Sequence, residues 1–359
     1  MPDIDAIHAT LTQLPECGNV RPDDLEPLSV TGIAHDHIRV RGLILAGKPA
    51  LLRIPRLSQW GLEAKANLAY QHACFERATP SAVTPKLLGV LPVSGHLPMG
   101  ALVVEEIAGR KPRLPGDMGA IARCLASIHA LPVPAVRAPL QVHDDPIAGT
   151  LAVIEAQAGF LDECSINTKA RAAIAEELAW ARDFSDHIPP GAQPQCLVAT
   201  DAHPGNFLMS TQRAIPSSNK ADHAVLVDLE KMLYGSPAID LAHASLATST
   251  MWDPDCADIL NAREVAGFID DYFAAAGSGP ASALKPWILP MRRLTWLRTM
   301  TWCARWLVLS RTSEDWSAGR LDPAFADHLK RTIPGYFTFE RIAASRAEWL
   351  DPQGLMSFL

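Results

Sequence analysis

Asp201 and Asn206 stand five positions apart in Leu197-Val-Ala-Thr-Asp-Ala-His-Pro-Gly-Asn206, and Asp228 ends the apolar run Val225-Leu-Val227. A tight loop containing Pro and Gly can turn Asp201 and Asn206 into one cleft. A carboxylate at the end of an apolar strand emerges at a sheet edge. Phosphoryl transfer needs one acid to orient a hydroxyl and receive its proton, oxygen ligands for magnesium, and a cation on the phosphates. Asp201 for the hydroxyl, with Asn206 and Asp228 for Mg2+, meets the first two needs. A metal hydrolase built on Asp201 and His203 is the rival reading, and it gives no reason for Asn206 or Asp228. His203 is expected to hydrogen-bond within the loop. Glu230 reads equally as a group behind the metal or as a surface acid.

The elements that must position these residues follow from pattern. A short helix and a Pro/Asp-rich stretch occupy residues 1–27. Ile38 to Leu45 and Ala50 to Ile54 read as strands around the turn signal Ala46-Gly-Lys-Pro49, an antiparallel hairpin. From Gln59 to Ala78, Leu62, Ala66, Ala69 and Ala73 recur at helical spacing until Pro80. Leu87–Leu91 and Ala101–Val104 are two further strands. Helices dominate from Gly116: Met118–Ala130, Thr150–Phe160 and Lys169–Ile188, then the stretch after Asp240. The connection Thr211 to Ala224, with Pro216-Ser-Ser-Asn219, is long for a hairpin loop. The expected architecture is α+β and two-lobed. Residues 1–104 form a small antiparallel-sheet N-lobe, 105–112 a hinge, and 113–359 a mainly helical C-lobe.

Composition narrows the partners. With 359 residues, 48% hydrophobic and 20% charged, the chain suits a two-lobed globular enzyme rather than a disordered protein. A net charge of −7 without a basic stripe points away from nucleic acid. The seven cysteines are scattered and never spaced Cys-x-x-Cys, so buried reduced thiols are expected. The most apolar late stretch, Thr295 to Leu309, is broken by Arg298 and Arg305 and does not read as a membrane span. The N-terminus lacks a basic-then-apolar signal pattern, and a cytoplasmic location is expected. Trp287, Trp296, Trp302, Trp306 and Trp316 suggest an aromatic cage or, more simply, helix packing. Trp252 to Asp258 gathers carboxylates that read as an acidic helix start. His35 and His37 read as exposed loop residues rather than a zinc site.

The motifs also carry a resemblance. Val198-Ala-Thr-Asp-Ala-His-Pro-Gly-Asn206 resembles the His-Gly-Asp-x-His-x-x-Asn loop of the aminoglycoside phosphotransferase / choline kinase family. Val227-Asp-Leu-Glu230 and Gly235-Ser-Pro-Ala-Ile-Asp-Leu-Ala242 resemble its Ile-Asp-Trp-Glu and Gly-Asp-Pro-x-x-Asp-Leu-Ala segments. Leu51-Leu-Arg-Ile-Pro55 is similar to the strand bearing the ATP-binding cation, and Val103-Val-Glu-Glu-Ile-Ala-Gly109 to the hinge. The matches run in order from about residue 28 to about residue 245.

The resemblance implies a protein-kinase-like fold, ATP and Mg2+ as cofactors, and a small hydroxylated acceptor. It implies Asp201 as the catalytic aspartate and Asn206 and Asp228 as metal ligands. Arg53 would steady the phosphates, paired with Glu63. The backbone at Glu105 and Ile107 would meet adenine, and Gly32, in the turn Thr31 to His37, would cover the phosphates. Asp240 would support the catalytic loop. Ala199 and Thr200 stand where the family usually has His and Gly, so a nucleotide-binding pseudokinase with little turnover is the alternative.

Overall fold

The two-residue turn Ala46-Gly47 closes the first hairpin. Both residues have positive φ, 47° and 75°, the geometry that matches the twist of paired strands and that glycine adopts without steric cost. The computed structural model describes residues 3–29, 32, 34–189, 191–211, 223–312 and 321–359. Thr31, Pro216 to Asn219 and Trp316, named above, lie outside them.

The N-lobe comprises α1 (Ile4–Leu11), β1 (Leu25–Pro27), β2 (His35–Leu45), β3 (Lys48–Pro55), α2 (Ala64–Ala78), β4 (Leu87–Leu91) and β5 (Ala101–Glu105). Its strands form one antiparallel sheet in the order β1-β2-β3-β5-β4. Every residue of β5 is buried, because the sheet is covered on both sides. Val103 joins a core with Ile7 and Leu11 of α1, while its neighbours Leu102 and Val104 join the larger core that includes α2. That is the period-two alternation of a strand.

Two differences from the sequence reading matter for the site. β2 begins at His35, not Ile38, so His35 and His37 are strand residues on the side of β2 that faces Arg53. α2 begins at Ala64, not Gln59, because Gly61 takes φ 66° and Glu63 is the N-cap residue.

The C-lobe carries α3 (Met118–His129), α4 (Pro146–Ala158), α5 (Thr168–His187), β6 (Cys196–Val198), β7 (Phe207–Ser210), β8 (His223–Leu226), β9 (Leu233–Gly235), α6 (Ala238–Ser245), α7 (Ala247–Thr250), α8 (Ala262–Ala276), α9 (Ser278–Leu284), α10 (Ile288–Thr312), α11 (Pro323–Tyr336) and α12 (Phe339–Leu350). α10, 25 residues long, packs against α4, α5 and α6. It is buried on most sides, so its charged residues need partners: Arg292 donates to Ser245 Oγ at 2.7 Å, and Arg293 pairs with Glu177. Trp296 and Trp306 are core residues, whereas Trp302 and Trp252 reach the interlobe cavity. The seven cysteines are free thiols. Among the described residues no helix is long and apolar enough to cross a membrane.

Candidate active site between the lobes

Two short antiparallel ribbons hold the central loop. β6 pairs with β9 and β7 with β8, so residues 199–206 and 227–232 emerge side by side. The Val227 amide donates to Asn206 O at 2.9 Å, which sets Asp228 next to Asn206. The hinge docks on the same ribbon. The Arg110 amide donates to Met209 O at 3.0 Å, and the Met209 amide to Arg110 O at 2.7 Å. A Cβ on Gly109 would sit 2.7 Å from Met209 O, so only glycine allows this approach.

Asp240, fully buried, braces the loop. Its Oδ2 accepts from the Ala199 amide and its Oδ1 from the Thr200 amide, both at 2.7 Å, and His129 Nε2 lies 3.0 Å from Oδ2. The bracing thus does not need a histidine at position 199. Thr200 takes φ 58°, a left-handed conformation that explains why glycine suits this position. Here its hydroxyl donates to Lys231 O at 2.9 Å, and its carbonyl accepts from Arg298 at 2.8 Å.

Asp201 is held by a cation that the motif reading passed over. Lys231 Nζ lies 2.7 Å from Asp201 Oδ2, and His243 Nε2 lies 3.7 Å from Oδ1. Burial would raise the carboxyl, but Lys231, His203 and His243 hold it well below the usual carboxylate range. Burial pushes His243 down to about 3, so its ring is neutral at pH 7. The amide of the Asn206 side chain donates to Asp201 O at 2.8 Å. The His203 side chain does not hydrogen-bond within the loop as expected: its Nδ1 is buried without a partner, and its ring lies 6.3 Å from the Trp252 ring.

Arg53 is buried and does not pair with Glu63. Glu63 is the N-cap residue of α2 at an exposed position, and the α2 side chain that reaches the arginine's surroundings is Gln71, whose Oε1 lies 3.1 Å from Nε2 of His35 on β2. Arg53 instead forms an ion pair with Asp228 across the lobes, and its other guanidinium contacts are His35 Nδ1 at 3.2 Å and His37 Nε2 at 3.5 Å. Burial, then the Arg53 charge, pushes His37 down to about 4 and His35 well below its ordinary value, leaving neutral rings beside the cation. An alternating His-x-His whose second histidine pairs with Arg53 in register was the available sequence signal.

Glu230 is not a surface acid. It is 5% exposed, 3.5 Å from His35, and pushed up to about 8 by burial and then by Asp228. Trp252 to Asp258 is not a helix start either. The next helix begins at Ala262, and Asp253 pairs with Lys111 at 2.9 Å on the cavity wall.

These groups line one cavity of about 430 Å³. On its N-lobe side lie Gly32, whose carbonyl accepts from Arg56, and Leu51, Arg53, Val104, Glu105 and Ile107. The Glu105 carboxylate is occupied by Lys48 at 3.0 Å and the Lys86 amide at 3.2 Å. Among the described residues the Ile107 backbone has no hydrogen-bond partner, leaving an amide and a carbonyl at this edge of the cavity.

The donor set fits magnesium rather than a transition metal. It offers one carboxylate, about a quarter exposed at Asp228, and the Asn206 Oδ1, which accepts no hydrogen bond. Mg2+ takes one or two protein oxygens and completes its shell with phosphate and water. Among the described residues no cluster of three or more His, Cys, Asp or Glu forms a metal cage.

A small antiparallel sheet, a hinge and a helical lobe enclosing a cleft of this kind define the protein-kinase-like architecture. The chain belongs to the phosphotransferase enzyme family, whose sequence model matches residues 29–287. Among solved structures, it is similar to a choline/ethanolamine kinase family protein from Mesorhizobium loti, with 19% identity and a TM-score of 0.57 over 95% of this chain and 98% of that one. It is also similar to aminoglycoside 2'-phosphotransferase-IIIa in its GDP complex, with 14% identity and a TM-score of 0.58 over 93% and 99% of the two chains. A third is an ethanolamine kinase from Plasmodium vivax, with 14% identity and a TM-score of 0.56 over 93% and 87%. At these identities the likeness is one of fold. No curated protein matches the chain by sequence.

Proposed function

We propose that the chain is an ATP-dependent phosphotransferase that moves the γ-phosphate to a hydroxyl of a small molecule with Mg2+. The observation that carries this reading is the convergence of Asp201, Asn206, Asp228 and Arg53, from three separate stretches of both lobes, on one cleft. In this reading Asp201 orients the acceptor hydroxyl and receives its proton. Asn206 and Asp228 hold the magnesium, which when bound neutralises charge on the phosphates. Arg53 steadies the phosphates, Gly32 lies over them, and the backbone at Glu105 and Ile107 meets the nucleotide base. Glu63, exposed and away from Arg53, has no part in this arrangement. The GDP complex of the aminoglycoside 2'-phosphotransferase supports a nucleotide in the cleft. The acidic net charge of −7 favours a small-molecule acceptor over nucleic acid, and a cytoplasmic location is part of the same proposal.

The rival hydrolase reading needs a metal on Asp201, where the Lys231 ammonium already sits at 2.7 Å. The pseudokinase alternative shares the cleft and differs only in turnover. Purified protein with Mg-ATP and a broad alcohol panel decides between them. Asp201→Ala should abolish transfer while nucleotide affinity stays within about twofold, and Asp228→Asn should raise the magnesium requirement about tenfold or more. Unchanged turnover in Asp201→Ala sinks the assignment; nucleotide binding with no acceptor phosphorylated by the native protein favours the pseudokinase.

A further inference from the structure

In the C-lobe half of the cavity, Asp201 and Asp253 are already held by cations, and among the described residues one guanidinium faces no carboxylate. Asp201 is held by Lys231 at 2.7 Å and Asp253 by Lys111 at 2.9 Å. Arg298, midway along α10, lines the same space with no carboxylate at ion-pair distance among the described residues. One N–H of its Nη1 donates to Thr200 O at 2.8 Å, and a guanidinium has five N–H donors. Asp201 and Asp240 act on it only through space, and Asp240 is already occupied by two amides and His129. Thr248 and Ser249 line the same cavity, each 2% exposed, with hydroxyls that have no hydrogen-bond partner among the described residues. A partly buried guanidinium without a counter-charge is costly, and a carboxylate, which it binds in a two-point fork, is its matching ligand.

We propose that the acceptor is a hydroxylated acid, an alcohol whose carboxylate pairs with Arg298 while Thr248 and Ser249 hydrogen-bond its polar groups. The hydroxyl's part rests on the phosphotransferase reading; the anion site does not. In the transfer step the acceptor oxygen bonds to the γ-phosphorus, the bond from that phosphorus to the β–γ bridging oxygen breaks, the hydroxyl proton goes to Asp201, and ADP leaves. A quaternary amine fits this half poorly. The Lys231 ammonium lies 5.8 Å from the centre of the Trp302 ring, the face such a cation would use, and Lys111 occupies Asp253.

The test reads binding without turnover. The full chain, with magnesium and a non-hydrolysable ATP analogue, is titrated by ligand-observed NMR. The probes are glycerate, 3-hydroxybutyrate, gluconate and phenyllactate, against their primary amides and against choline and ethanolamine. At least one acid should bind, with its amide about tenfold weaker or more. Arg298→Gln should bring that acid down to its amide, Arg298→Lys should fall between, and nucleotide affinity should stay within about twofold in both. The proposal is overturned if no acid binds, if amides or amines bind as well as the acids, or if both variants keep the preference. Selective acid binding through Arg298, with no ATP consumed when the same acid is then supplied with Mg-ATP, supports the anion site and instead refutes the phosphotransferase reading.

Discussion

Lys231 Nζ lies 2.7 Å from Asp201 Oδ2, 30 residues away in sequence, and both are partly buried in the wall of the cleft. The contact ties the two loops that emerge from the paired ribbons. It also sets the charge of the group proposed to receive the acceptor proton.

Replacing Lys231 by Met removes the nearest cation from Asp201. Burial then dominates and raises that carboxyl. The ionised fraction falls at acid pH, so the acid limb of the kcat/KM profile should move to higher pH. At neutral pH kcat should drop about 10²-fold, the usual cost of losing one preorganised electrostatic group, with the KM for ATP changed only a few-fold. An unshifted acid limb in a pH–rate series would show that Lys231 does not govern Asp201.

Thr200 offers a stability test of the loop. Thr200→Val keeps a β-branched residue at φ 58° but deletes the bond to Lys231 O, and should cost about 1–2 kcal/mol. Thr200→Gly deletes the same bond but relieves the backbone, at the expense of a looser unfolded chain, so it should stay within about 1 kcal/mol of the parent. Urea midpoints at constant m-value give the order. Valine as stable as threonine would mean the hydroxyl contributes nothing.

Acid should weaken the fold through histidines that are wholly or partly buried. His143 is pushed down to about 4, first by burial and then by Arg298. Its folded-state value lies below the ordinary 6.5, so the unfolded chain binds the proton more readily. The stability it contributes is complete above about pH 6.5 and is lost as pH falls towards 4, at up to about 1.4 kcal/mol per pH unit. His37 and His243 act with the same sign. The melting temperature should therefore drop between pH 6.5 and 5, and the drop should be smaller in His143→Gln. Equal slopes for the two proteins would remove His143 from the account.

The parts of the site readable from sequence were those set by local chain geometry. Asp201 and Asn206 share a loop that Pro204 and Gly205 bend, and Asp228 follows from the end of an apolar strand. The hinge, Glu105 to Gly109, was legible only through its resemblance to the family's hinge segment, since every residue of β5 is buried and shows no polar alternation. Where reading failed, the cause was phase. Starting α2 at Ala64 rather than Gln59 leaves Glu63 at the exposed N-cap, and Gln71 reaches His35, the histidine beside Arg53. Starting β2 at His35 moves two histidines from a loop to the flank of that arginine.

The sequence by itself determined the order of the elements, the loop that carries Asp201 and Asn206, and the family, because periodicity and motif spacing are properties of neighbouring residues. Only the tertiary structure decided which charges meet. Arg53 reaches Asp228 across a separation of 175 positions, Lys231 closes on Asp201, and Arg298 faces the cavity with no carboxylate at ion-pair distance among the described residues. Those pairings depend on strand register, helix rotation and the docking of two lobes, none of which is encoded in the spacing of any one segment.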